Sequence, residues 1–154
     1  MGWEMGGNPL TTWHPSVSYN STIRPWLLAR MAELKAPKDP LLIMYQGESG
    51  VGSASPWAEV MAAISLAVRA DFGAGTGVVI VQLPATYTSG STIAASQADY
   101  VASDSNSRLA YNHGSTFIGD DTHIDYASAL ALAIGPNNGS TVKSVFTCIR
   151  ELLA

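Results

Sequence analysis

Two short runs, "LLIMYQ" (41–46) and "GVVIVQL" (77–83), limit the folds open to this chain more than any other feature. Each is continuously apolar instead of alternating, which is the pattern of a strand buried on both faces. The second is rich in β-branched residues, which suit a pleated sheet. Between them, "SPWAEVMAAISLAVRADFG" (55–73) has a helical period. Ser55 suits the cap, Pro56 the first helical position and Gly73 the stop. Val60, Met61, Ile64, Val68 and Phe72 fall on one apolar stripe. Strand, helix and strand in this order imply a parallel sheet covered by helices.

The rest of the chain extends the same alternation. Val17, Ile23, Trp26, Leu27, Met31 and Leu34 recur near helical spacing, with Pro25 marking a start or a kink. Residues 1–15 are Gly- and Pro-rich and read as loop. Helices are predicted over 91–104, 125–135 and 140–153, and weaker strands over 107–112 and 115–119. The expected architecture is a three-layer α/β/α sandwich with a mainly parallel sheet, and the 154 residues suit one domain, 1–154. In such sheets ligands bind beyond the carboxyl ends of the strands.

Bulk properties narrow the function. The chain is 47% hydrophobic and 13% charged, which supports a buried core. A net charge of −4 and the absence of a Lys/Arg run argue against nucleic acid and against an anionic membrane surface. No apolar run approaches the ~20 residues of a membrane span. The start "MGWEMGGNP" lacks the basic and apolar regions of a signal peptide, and the compartment stays open. The lone Cys148, in the amphipathic "SVFTCIREL", reads as buried packing.

Three polar clusters interrupt this apolar chain. "QGES" (46–49) follows directly on the first buried run. A Gln46 amide at a strand end can donate to a developing oxyanion; equally, Gln46 and Glu48 can satisfy loop backbone groups. "GESGVG" is neither a nucleophile elbow nor a phosphate loop, which makes Ser49 a poor nucleophile. In "GDDTHID" (119–125), Asp120 stands three residues before His123. A carboxylate there can hold the imidazole in one tautomer for general-base work. The same residues also suit a loop that caps the next helix. Asp120, Asp121, His123 and Asp125 are metal-ligand types, but their spacing fits no recognised metal loop. The third cluster, "GGNPLTTWHP", holds Gly6 and Gly7, whose N–H groups can face an anion or form an ordinary turn. His14 and His113 read as loop or surface residues.

Taken together, "GGNPLTTW", "YNSTIRPWL", "LLIMYQGES", "VRADFG", "VVIVQLP", "SQADYVASDSN" and "DDTHIDYASALALA" resemble the sialate O-acetylesterase-like carbohydrate esterases of the SGNH hydrolase superfamily. The likeness runs from about Gly6 to Ala133. It implies an SGNH/flavodoxin-like α/β/α fold and hydrolysis of O-acetyl esters on sugars, without metal or cofactor. It implies that His123 is the general base and Asp120 its orienting acid. Gln46, with Gly47 and Glu48, falls in the box that contributes to the oxyanion hole. Gly6 and Gly7 fall near the box that supplies a backbone N–H. Two departures stand out. The early "GQSN"-type box that carries the nucleophilic serine is absent, together with the central strand it ends. Ala94 and Ala95 stand before Gln97, where the family often has an Arg nearby.

A missing central strand leaves unpaired backbone groups on an apolar edge. The sequence therefore carries three expectations: a fragment of a longer reading frame, which the abrupt start favours; self-association or a partner chain that completes the sheet; or a rearranged sheet with a local serine. A non-catalytic carbohydrate-binding or assembly module, or an inactive fragment, on the same fold is the alternative function. For that module Trp3, Trp13, Trp26 and Trp57 are candidate sugar-stacking surfaces, the last two more readily explained as helix packing.

Overall fold

The structure, a computed structural model, describes residues 10–34, 39–46, 57–83, 90–110, 126–134 and 143–154. A 3-10 turn, Leu10–Trp13, leads into a π-helical segment, Pro15–Ile23, which continues directly as α1, Arg24–Leu34. There follow β1 (Leu41–Tyr45), α2 (Trp57–Phe72), β2 (Gly77–Val81), α3 (Gly90–Ser103), β3 (Ser107–Ala110), α4 (Tyr126–Ile134) and α5 (Val145–Leu153). The strands form one parallel sheet in the order β1-β2-β3. Leu41 lies opposite Gly77, and Val78 opposite Ser107.

The unbroken apolar run of β2 has its cause in its position. It is the middle strand, and all five of its residues are buried. Val78 and Ile80 point into a cluster with Leu10, Tyr19, Ile23 and the buried faces of α2 and α3. Val79 and Val81 point the other way, against Ala110, Cys148, Leu132 of α4 and Val145, Ile149 and Leu152 of α5. One strand thus feeds two cores, and the chain is a three-layer α/β/α protein.

The α2 stripe forms as expected. Val60, Met61, Ile64 and Val68 are buried, and Phe72 packs against the same cluster. Gly73 ends the helix at φ +125°, a conformation that disfavours a side chain. A Cβ there would also collide with the Asp39 carboxylate, whose Oδ1 accepts the Gly75 N–H at 2.8 Å. Gly73→Ala should therefore lower stability by about 1–3 kcal/mol, measured by urea unfolding.

Cys148 is fully buried in the second core. Burial, with Glu151 nearby, pushes its thiol up to about 11. Little thiolate exists at pH 8, and iodoacetamide should leave Cys148 unmodified until the protein unfolds, as read by intact mass. Ser144 caps α5 by accepting the Thr147 N–H at 3.2 Å.

Three expectations need correction. The 41–46 run is not buried on both faces: only Met44 is buried in β1, while Ile43 and Tyr45 are 49% and 39% exposed. Among the described residues β1 pairs only with β2, and the described α4 and α5 contacts in the second core fall on β2 and β3. Val17 leaves the expected stripe and is exposed, because Pro15–Ile23 winds with i→i+5 bonds and turns the residues out of α-helical phase. Residues 10–13 are helical instead of loop. The predicted 115–119 strand lies outside the described residues.

Candidate functional site

The carboxyl ends of β1 and β2 are held by amides. Gln46 follows β1 directly and is half-buried. Its backbone carbonyl accepts a hydrogen bond from Gln97 Nε2 at 3.0 Å. Gln97 is fully buried on α3, and its Oε1 accepts the Leu83 N–H at 2.9 Å. One side-chain amide therefore joins the ends of two parallel strands. Gln82 makes a second tie from the same end of the sheet, donating from Nε2 to the Ala94 carbonyl of α3 at 3.0 Å. All three are neutral amides in largely dry surroundings. Such groups can fix backbone and present hydrogen bonds without a proton to lose at physiological pH.

Of the residues the sequence nominates, Gln46 stands at this mouth. His123, Asp120, Gly6, Gly7, Gly47 and Glu48 lie outside the described residues, as do Asp121, Asp125, His113 and Trp3. His14 is a capping residue: its Nδ1 accepts the Ser16 N–H at 3.2 Å and lies 2.7 Å from Ser16 Oγ. Trp57 is buried and packs edge-to-face on Tyr100, with ring centroids 6.3 Å apart, so it has no free face for a sugar. Trp13 also packs against the first core. Among the described residues no group of three His, Cys, Asp or Glu side chains is placed to hold a metal. No described helix is long and apolar enough to cross a membrane.

A second polar cluster lies at the opposite, amino end of the sheet. Asp104 Oδ2 accepts from Ser107 Oγ (2.7 Å), Tyr100 OH (2.8 Å) and Arg69 Nη2 (2.9 Å), and Oδ1 accepts the Asn106 N–H (3.1 Å). Ser65 Oγ shares a 2.6 Å hydrogen bond with Tyr100 OH. Arg69 Nε reaches the Thr76 carbonyl at 3.0 Å. Burial pulls the Asp104 carboxyl upward, but its four donors outweigh burial and hold it down to about 2. Burial raises the Tyr100 phenol above its ordinary value. The cluster ties α2, α3 and the start of β3 together. A third tie is made by Asp71, which accepts from Tyr19 OH (3.0 Å) and Arg24 Nε (2.7 Å) and holds the N-terminal helical run on α2. Both ties lie away from the carboxyl-end mouth and serve the fold.

Sequence reasoning missed Gln97 as a working residue. The available signal was its place on the buried face of α3: Ile93, Gln97 and Tyr100 follow an i, i+4, i+7 pattern, and all three are buried. A glutamine on an otherwise apolar stripe must find two partners, and the ends of β1 and β2 provide them.

No protein-family model matches the chain, and no curated protein does. Among solved structures it is similar to a protein from Arabidopsis thaliana determined by X-ray crystallography at 1.6 Å, with a TM-score of 0.69 and 17% sequence identity. The match covers 82% of this chain and 53% of that one, so the chain spans about half the length of its structural neighbour. The likeness is one of fold, and it agrees with the α/β/α layering described above.

Proposed function

We propose that this chain forms one wall of a carbohydrate esterase site that hydrolyses O-acetyl esters on sugars. The observation that carries the proposal is the amide-held mouth: Gln46 stands at the carboxyl end of a parallel strand, where α/β sheets bind ligands. The resemblance of "YQGES" and "DDTHID" to sialate O-acetylesterase-like members of the SGNH superfamily supplies the chemistry.

In this reading a serine Oγ attacks the acetyl carbonyl while His123, oriented by Asp120, takes its proton. Gln46 donates to the oxyanion of the tetrahedral intermediate, with backbone N–H groups near Gly6, Gly7, Gly47 and Glu48 as further donors. Collapse breaks the ester C–O bond, and the sugar oxygen leaves with the proton from His123. Water, deprotonated by the same imidazole, attacks the acetyl-serine and releases acetate. The "GQSN"-type box is absent from this sequence, so in this reading the nucleophilic serine is supplied by a longer reading frame, by a partner chain that completes the sheet, or by a local serine in a rearranged sheet. The exposure of Ile43 and Tyr45 on β1 supports a further element there.

The second reading, a carbohydrate-binding module without turnover, is favoured by the absent "GQSN"-type box. Acetate release from per-O-acetylated monosaccharides, assayed with the protein expressed from its full native reading frame, separates the two. Turnover supports the esterase; saturable sugar binding with no acetate released supports the module.

A further inference from the structure

The Gln97 amide occupies the place of a ladder rung. Tyr45 pairs with Val81, and the Gln82 N–H turns away from β1 to donate to the Ala110 carbonyl at 2.9 Å. Backbone groups alternate sides along a strand, so the Leu83 N–H faces β1. Continuing the parallel register by one step would bring that N–H to the Gln46 carbonyl. Among the described residues no hydrogen bond joins the two groups there. Leu83 N–H instead donates to Gln97 Oε1 at 2.9 Å, and Gln97 Nε2 donates to Gln46 O at 3.0 Å. The Gln97 side-chain amide stands in the place of the rung, accepting from the Leu83 N–H and donating to the Gln46 carbonyl.

We infer that Gln97 is a positioning residue: it wedges the carboxyl ends of β1 and β2 open and so sets where Gln46 stands at the mouth. The chemistry of the position is narrow. It needs an acceptor toward Leu83 and a donor toward Gln46 on one planar group, and it needs the reach of Gln from the buried face of α3. Asn is one methylene short, Glu loses the donor when ionised, and Leu offers neither partner. The consequence for catalysis rests on the esterase reading; the wedge itself does not.

The test is Gln97→Ala in the full protein, followed by NMR. With the amide gone, Leu83 N–H and Gln46 C=O are complementary and can close on each other. The expected result is a through-hydrogen-bond coupling between Leu83 nitrogen and the Gln46 carbonyl carbon, absent in the parent, together with shifted Gln46 side-chain amide signals. Signals from Val78 and Ser107, at the far end of the sheet, stay in place. Should the alanine variant fail to fold, Gln97→Met keeps the volume. It leaves Leu83 N–H without its acceptor, and that amide then exchanges with solvent at least tenfold faster while Val79 stays protected. Unchanged Leu83 and Gln46 signals in Gln97→Ala, or unchanged Leu83 exchange in Gln97→Met, would overturn the wedge.

A kinetic readout separates positioning from mere support. On an acetyl ester, Gln97→Ala lowers kcat by about a hundredfold, the scale of a ~1 Å misplacement, with KM kept within about twofold. Equal kcat in variant and parent would overturn the positioning role. A parent protein that turns over no acetyl ester sinks the esterase reading instead, and the NMR result still decides the wedge.

Discussion

Asp104→Ala is expected to destabilise the protein by about 2–4 kcal/mol, approaching the scale for removing one partner of a buried ion pair. The Arg69 and Asp104 side chains are only 21% and 15% exposed, and their N–O distance is 2.9 Å. Removing the carboxylate takes the counter-charge from the Arg69 guanidinium, which keeps the Thr76 and Asn106 carbonyls, and removes the acceptor of the Asn106 N–H and one acceptor each of Tyr100 and Ser107. Asp104→Asn keeps the shape and part of the acceptor capacity, and should cost less. Urea unfolding of both variants measures the difference through a shift in midpoint at constant slope.

The same carboxylate gives the fold an acid limit. Asp104 has an ordinary value of 3.8 and is held down to about 2 in the folded protein. Because the folded value is the lower one, the group's contribution is fully present above about 3.8. It is lost as the pH falls through the folded value. A shift of this size corresponds to about 2 kcal/mol. The parent should lose stability between about pH 4 and pH 2 more steeply than Asp104→Asn, read as the slope of unfolding free energy against pH.

His123→Ala carries the largest expected effect on activity. In the proposed mechanism the imidazole takes the serine proton, gives it to the leaving sugar and then activates water. Removing it should lower acetate release by about 10⁴-fold, since triad members act as a unit. KM for an acetylated sugar should change little, because the imidazole acts on protons more than on sugar binding. The urea midpoint of the variant serves as the control for folding.

The sequence made the fold legible where one physical demand ruled the composition. A middle strand buried on both faces must be apolar throughout, and Gly77–Val81 is. The α2 stripe follows from one core-facing side, and Gly73 from a positive φ. Legibility failed where the same composition serves two settings. "LLIMY" reads like a central strand, yet Ile43 and Tyr45 are exposed; composition reports what a strand can bury, and the neighbours decide what it does bury. The π-helical wind of Pro15–Ile23 left no mark that separates it from an α-helical period, and Val17 was misplaced for that reason.

At the candidate site the balance differs. The position of Gln46 at the carboxyl end of β1 was legible because the apolar run stops there. Gln97 was not, because its partners are backbone groups: Leu83 N–H and Gln46 O are contributed by position and not by residue type. The Asp104 clasp was hidden for a related reason. Its members, Ser65, Arg69, Tyr100, Asp104 and Ser107, come from α2, α3, β3 and the turn between the last two, which only the folded sheet brings together.

The central claim is that this chain belongs to a serine-nucleophile esterase site served by His123. A fluorophosphonate probe tests it most directly, applied to the protein from its full native reading frame beside His123→Ala, with intact mass and peptide mapping as the readout. The expected result is one adduct, on one serine, formed at least a hundredfold more slowly in the variant. No adduct in a protein shown to be folded, or an adduct whose rate ignores His123, would contradict it.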